Sequence, residues 1–259
     1  MRASLFESGR LFYPSSAPYE RLPIPPPPPW YSLAPDSSPD APMLPFGTIT
    51  PDWTTRPVLI LAGGPSTSYF DPRPFYPSVH ALGCNKSGFY FDTPAITTMD
   101  RQFVRRYRDA LAESVELGIE VIIALPPNDE SHAPIPGATY VERRRGGDTL
   151  SLDPGQVFGV HTGFAALNVA LLKGARRIAM TGYDMQHIDG QTHNHGGYGW
   201  TTARSGRFMH KWAAGMEKAA EQLERAGVEV VNFEAFEGAS RVTAFRKMKL
   251  EDLGGWIKQ

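Results

Sequence analysis

The sequence predicts an α/β fold: a mostly parallel sheet with helices on both faces, in a single domain preceded by a proline-rich arm. Three observations predict it. Beyond residue 57, short apolar runs alternate with helical ones. Those runs are apolar throughout, which marks strands covered on both faces. Proline crowds to the front, with 13 of the 24 before residue 52 and an unbroken row from Pro25 to Pro29.

Proline fixes φ and lacks an N–H. Residues 1–54 therefore read as an extended arm with polyproline II character around PIPPPPPW. Phe6, Leu11, Phe12, Tyr19, Trp30 and Tyr31 suit it to pack along its own domain or a neighbouring subunit, so a homo-oligomer through the arm is an expected partnership. A ligand for a proline-binding domain is the alternative.

The folded domain is expected over residues 55–259. VLILAG (58–63), VHALGCN (79–85) and AITTM (95–99) are the first strands. RQFVRRYRDALAESVELG (101–118) predicts a helix, with Phe103, Tyr107, Leu111 and Val115 at four-residue intervals and Gly118 as its stop. EVIIALP (120–126) is a strand. Residues 127–150 read as an irregular excursion with a short strand at 139–143. A helix at 163–173, a strand at 177–182, a long helix over 204–226 and a strand at 228–233 complete the domain.

Composition sets the class. The chain has 259 residues, 41% hydrophobic and 20% charged, as expected of a soluble globular protein. A net charge of −1 offers no overall basic field for nucleic acid. The lone Cys84 excludes an intrachain disulfide and suits a reducing, cytoplasmic location. The sequence contains no signal-peptide-like stretch and no apolar run of membrane-spanning length.

Open parallel sheets bind ligands beyond the carboxyl ends of their strands. That rule selects Gly63 to Ser66, Asn85, Asp100, Pro126 to Asn128, Gly182 to Asp184, and Asn232. In LAGGPS, Gly63 and Gly64 let backbone approach a ligand, and Ser66 suits the cap of a helix whose N–H groups face a phosphate; a plain tight turn is the other reading. Asn85 and Asp100 are candidates for ligand contact or for ordinary capping. Thr162-Gly163 opens a helix of small residues and suits a phosphate or ribose, or again a simple cap.

HIDGQTHNHGGYGW holds His187, His193 and His195. Asp184 and Asp189 would complete a mixed metal site, but the spacing matches no standard zinc motif, and no metal site is assigned. A histidine acting as general base or phosphate contact is the favoured reading, and solvent-exposed loop histidines the third.

GGPS, CNKS, TMD and TGFAALNVALLKGARRIAMTGYDM, each after a strand or opening a helix, form an ordered series. A histidine-bearing loop, a long helix and GVEVVNFEAFEGASRVTAF complete it. The series resembles the Rossmann-like superfamily of Campylobacter-type bacterial sialyltransferases and archaeal 6-hydroxymethylpterin diphosphokinases. It is most similar to short members encoded by phages and prophages, over residues 57–246. The resemblance implies a Rossmann-like sheet and a nucleotide held by Gly63, Gly64, Pro65, Ser66, Asn85, Thr162 and Gly163. The family's Gly-Ile-Asp is Gly182-Tyr183-Asp184 here, and its catalytic histidine falls on His193 or His195. Two positions depart from the pattern: Gly63 replaces an Asn, and only Tyr183 and Tyr198 are candidates for the tyrosine pair that contacts the donor phosphate.

The expected activity is transfer from a nucleotide-activated donor, a nucleotide sugar, to an acceptor hydroxyl. His195 ahead of His193 would be the base, with Asp184 beside them. No cofactor is required beyond the nucleotide-linked donor. The acceptor is a glycan or, in a narrower version, a hydroxylated DNA base held by the arginines of RQFVRRYR and ERRRGG. One alternative is a diphosphokinase of a pterin-like alcohol, with Mg²⁺ on Asp100 and Asp184. The other is a non-catalytic nucleotide-binding or assembly module.

Overall fold

The structure is a computed structural model and describes residues 44–129, 132–144, 149–194 and 208–259. Its centre is a sheet of nine strands: β1 (Val58–Leu61), β2 (His80–Cys84), β3 (Ala95–Thr98), β4 (Glu120–Leu125), β5 (Thr139–Arg144), β6 (Gln156–Phe158), β7 (Arg177–Thr181), β8 (Glu229–Glu234) and β9 (Arg246–Lys249). Their spatial order is β6-β5-β4-β3-β2-β1-β7-β8-β9. Every pairing is parallel.

The apolar runs have the reason the sequence implied. Val58 and Ile60 of β1 join a cluster with Phe164, Leu167 and Met216, whereas Leu59 and Leu61 face Leu253 and Trp256 on the opposite side. In β4, Ile122 and Ala124 divide from Val121, Ile123 and Leu125 in the same way. Both faces of β1 and β4 are buried, so both parities must be apolar there.

Seven helices lie among the described residues: α1 (Lys86–Tyr90), α2 (Arg101–Arg106), α3 (Arg108–Glu116), α4 (Thr162–Leu172), α5 (Met209–Ala214), α6 (Met216–Arg225) and α7 (Leu253–Ile257). The helix predicted over 101–118 is two helices. At Tyr107 the backbone leaves helical geometry (φ −116°, ψ 24°), and its ring packs against Phe103 and Phe89 at 4.8 and 6.2 Å. The long helix predicted over 204–226 divides at Gly215, and its first four positions lie outside the described residues.

Two strands were not anticipated. β6 has three residues, and β9 reads Arg-Lys-Met-Lys; both are edge strands, where one side of the ladder is open and an apolar run is not needed.

Phe6, Leu11, Phe12, Tyr19, Trp30 and Tyr31 lie outside the described residues, but the arm's last eleven residues are placed. From Leu44 to Trp53 the chain runs along the domain as a strap. Phe46 bridges Tyr140, Gly47 N–H donates to Tyr140 O (2.8 Å), and Trp53 N–H donates to Lys173 O (2.8 Å). Leu44, Ile49 and Trp53 are buried. Lys173 lies under the Trp53 ring, 5.1 Å from its centre, and pairs with Asp52 and Glu120. Among the described residues, no helix is long and apolar enough to cross a membrane.

Candidate functional site

The chain builds one wing of the sheet from β1 out to β6, returns through α4, and builds the other wing from β7 to β9. The connections after β1 and β7 therefore diverge, which opens a crevice beyond their carboxyl ends. A cavity of about 750 Å³ occupies that place. It is lined by Gly63 and Gly64 after β1, Asn85 after β2, Asp100 after β3, Thr162 and Gly163 at the start of α4, and Gly182 and His193 after β7. These eight are sequence-predicted residues, brought together from five segments. Pro126, also predicted from its strand end, lines it too.

The loop after β1 is held by backbone. Gly64 N–H donates to Gly182 O at 2.9 Å, and a Cβ on Gly64 would collide with that carbonyl and with Asp184 Oδ2. Only glycine fits there. Gly182 itself has φ +74°, and this turn sends the following residues beneath the loop.

Tyr183 and Asp184 thus sit under the cavity and do not line it. Tyr183 is fully buried and its hydroxyl donates to Gly163 O at 2.8 Å, fixing the first turn of α4. Asp184 is 2% exposed and accepts the Ser66 N–H at 2.8 Å. Burial pushes its pKa up to about 7, against the stabilising hydrogen bonds from Ser66. Pro65 and Ser66 form a buried 3-10 turn and are likewise outside the lining.

Asn85 has φ 52° and ψ −126°, an uncommon conformation for a residue with a side chain. Its Oδ1 accepts from Thr162 Oγ1 at 3.4 Å, across the cavity floor. Asp100 is the cap of α2, accepting from Gln102 and Phe103 N–H groups, and burial raises its pKa. Of the two carboxylates expected for magnesium, Asp100 lines the cavity and Asp184 does not.

His193 is carried by a clamped loop. The next residue, Asn194, donates its N–H to Gly63 O (2.8 Å) and its amide to Ser87 Oγ (3.0 Å). Thr192 Oγ1 lies 2.7 Å from His193 Nδ1. Burial, and then Lys86, pull the His193 pKa down to about 4, so the ring is neutral at neutral pH. His187 and Asp189 are exposed and outside the cavity. His195 and Tyr198 lie outside the described residues. Asn232 is buried in β8, donating to Ser240 Oγ, away from the cavity.

Four lining residues carry chemistry that the strand-end rule did not find. His161 is the cap of α4, the place the sequence reading gave to Thr162. Arg143 comes from β5, its Nη1 donating to Met99 O at 3.2 Å. Trp212 and Phe208 come from the long helix predicted over 204–226, and both line the cavity, Phe208 46% exposed. Their rings stack at 6.3 Å and 23°. The sequence carried no signal for His161, since histidine is not among the strongly preferred cap residues.

Among solved structures, the chain is similar to the sialyltransferase CstII from Campylobacter jejuni in complex with a substrate analogue, CMP-3FNeuAc. The identity is 12% and the TM-score 0.46, over 75% of this chain and 86% of that one. No protein-family model matches the chain, and no curated protein matches it.

The arrangement can hold an elongated anionic ligand. Helix α4 aims its first turn at the cavity, and first-turn N–H groups have no partner within a helix. Arg143 adds positive charge on the β5 side. The Phe208–Trp212 stack offers apolar area to a planar group.

Proposed function

We propose that the cavity binds a nucleotide-activated donor, a nucleotide sugar, and that the protein transfers the sugar to an acceptor hydroxyl. The observation that carries this reading is the facing of the Gly63-Gly64 backbone and the α4 N-terminus across a strand-end cavity of about 750 Å³. Backbone that approaches closely and a helix N-terminus are what a diphosphate or phosphodiester needs. The volume suits a ligand of nucleotide size.

Two histidines are available to deprotonate the acceptor. A ring with a pKa near 4 is a weak proton acceptor at neutral pH, which supports His195 over His193 as base. His193, neutral and beside Gly63, is suited to hold the donor or the departing phosphate. Asp184 then acts from below, by setting the shape of the phosphate-binding loop through Ser66.

The test is a thermal-shift screen of nucleotides and nucleotide sugars with EDTA or Mg²⁺, followed by assays of donor hydrolysis. A ligand at 100 times its Kd should add about 2.7 kcal/mol of stability. Binding should survive EDTA, and His195→Ala should lower turnover by about 10²–10⁴-fold with nucleotide affinity kept. Strict Mg²⁺ dependence with preference for ATP would replace this reading by the diphosphokinase. Binding without turnover of any donor would favour the assembly module.

A further inference from the structure

The cap of α4 holds a donor with no acceptor. His161 Nδ1 accepts the Phe164 N–H at 3.2 Å, so that nitrogen carries no proton. Burial pulls the ring's pKa down to about 3, and the imidazole is neutral at neutral pH. A neutral ring has one N–H, and here it must be Nε2–H. That atom is buried and has no hydrogen-bond partner.

Its surroundings point to a ligand. His161 lines the cavity beside Thr162 and Gly163, with Trp212 tilted over the ring at 5.4 Å and Phe164 edge-on at 6.3 Å. Buried polar groups are nearly always satisfied, and an exception calls for an explanation such as a functional role or a missing partner. A fixed N–H next to a helix N-terminus suits an oxygen that bears negative charge.

We propose that His161 is a binding residue whose Nε2–H donates to a phosphoryl oxygen of the ligand in this cavity. The ring is locked as a donor by its own capping bond, so it acts neither as base nor as nucleophile. The inference rests on the proposed function only in naming a nucleotide as the carrier of that phosphate.

The test compares wild type with His161→Asn. Asparagine is a good helix cap, and its Oδ1 takes over the acceptor position of Nδ1, while its Nδ2 falls at the place of the ring carbon Cδ2 and does not reach that of Nε2. The unliganded variant should melt near wild type. Titration calorimetry then uses nucleosides, their mono- and diphosphates, and inorganic pyrophosphate. Phosphate-bearing ligands should bind about 10- to 100-fold more weakly to the variant, with nucleosides unchanged. No loss, or equal loss for nucleosides, overturns the proposal. If wild type binds pyrophosphate but no nucleotide, the proposed function fails, while a His161-dependent loss on pyrophosphate upholds the donor. Wild type with no affinity for any phosphate-bearing ligand overturns it. Nitrogen-15 histidine NMR of wild type needs no variant: an Nε2–H tautomer at neutral pH is expected, and a protonated ring or an Nδ1–H tautomer overturns the proposal.

Discussion

Asp184 is a carboxylate held where ionisation is unfavourable, 2% exposed with one N–H from Ser66. Its folded pKa, about 7, lies above the ordinary value, so the native state binds more protons than the unfolded chain between about pH 4 and pH 7. The stability this group contributes is present at the acid end of that window and lost as pH rises through 7. His161 and His193, both held below the ordinary histidine range, act with the opposite sign. The difference between wild type and Asp184→Asn isolates the carboxylate, because Asn still accepts the Ser66 N–H. In urea denaturation, wild type should lose roughly 2–4 kcal/mol relative to the variant between pH 5 and pH 8. A difference that stays flat with pH would show that Asp184 is ionised throughout. The residue scale is also where the sequence reading was least informative. Strand-end logic finds the position of Asp184 but not the turn at Gly182, φ +74°, that aims it beneath the loop.

At the scale of elements, legibility followed burial. β1 to β4, β7 and β8 were readable because neighbours cover both their faces and demand unbroken apolar runs. β6 and β9 stand at the edges, and β9 carries three cations among its four residues, a composition that also discourages pairing with another chain. The strap's packing residues are a different case: the arm's packing was expected from Phe6, Leu11, Phe12, Tyr19, Trp30 and Tyr31, whereas among the described residues Leu44, Ile49 and Trp53 do it. Trp53 covers Lys173 and stacks on His80, with ring centres 5.5 Å apart. Trp53→Ala should therefore cost about 3–5 kcal/mol in chemical denaturation. A cost below about 0.5 kcal/mol, the size usual for a surface change, would mean the strap is not part of the folded unit.

The whole molecule is an all-parallel sheet whose interior strands depend on neighbours distant in sequence; β1, for example, pairs with β7 across more than a hundred residues. Opening the interior requires opening both wings. Native-state hydrogen exchange should thus find β1, β2 and β7 amides exchanging only through global unfolding, and β6 and β9 through local opening. Uniform protection across the sheet would contradict this. The cavity was legible at this scale because parallel topology fixes where a ligand can lie. Gly63, Gly64, Asn85, Asp100, Thr162, Gly163, Gly182 and His193 all converge there. His161, Trp212 and Phe208 were not legible, since a cap and a helix face reach the cavity through tertiary packing that periodicity does not encode.

The chain crosses between the two wings once, through α4. Among the described lining residues, those ahead of the body of α4, from Ala62 to Gly163, form one block of sequence, and those after it, from Gly182 to Trp212, form a second. A recombination joint placed between those blocks would exchange one half of the binding surface intact and leave the other untouched. The architecture thereby separates what holds one end of a ligand from what meets the other, and lets the two be inherited, or engineered, independently.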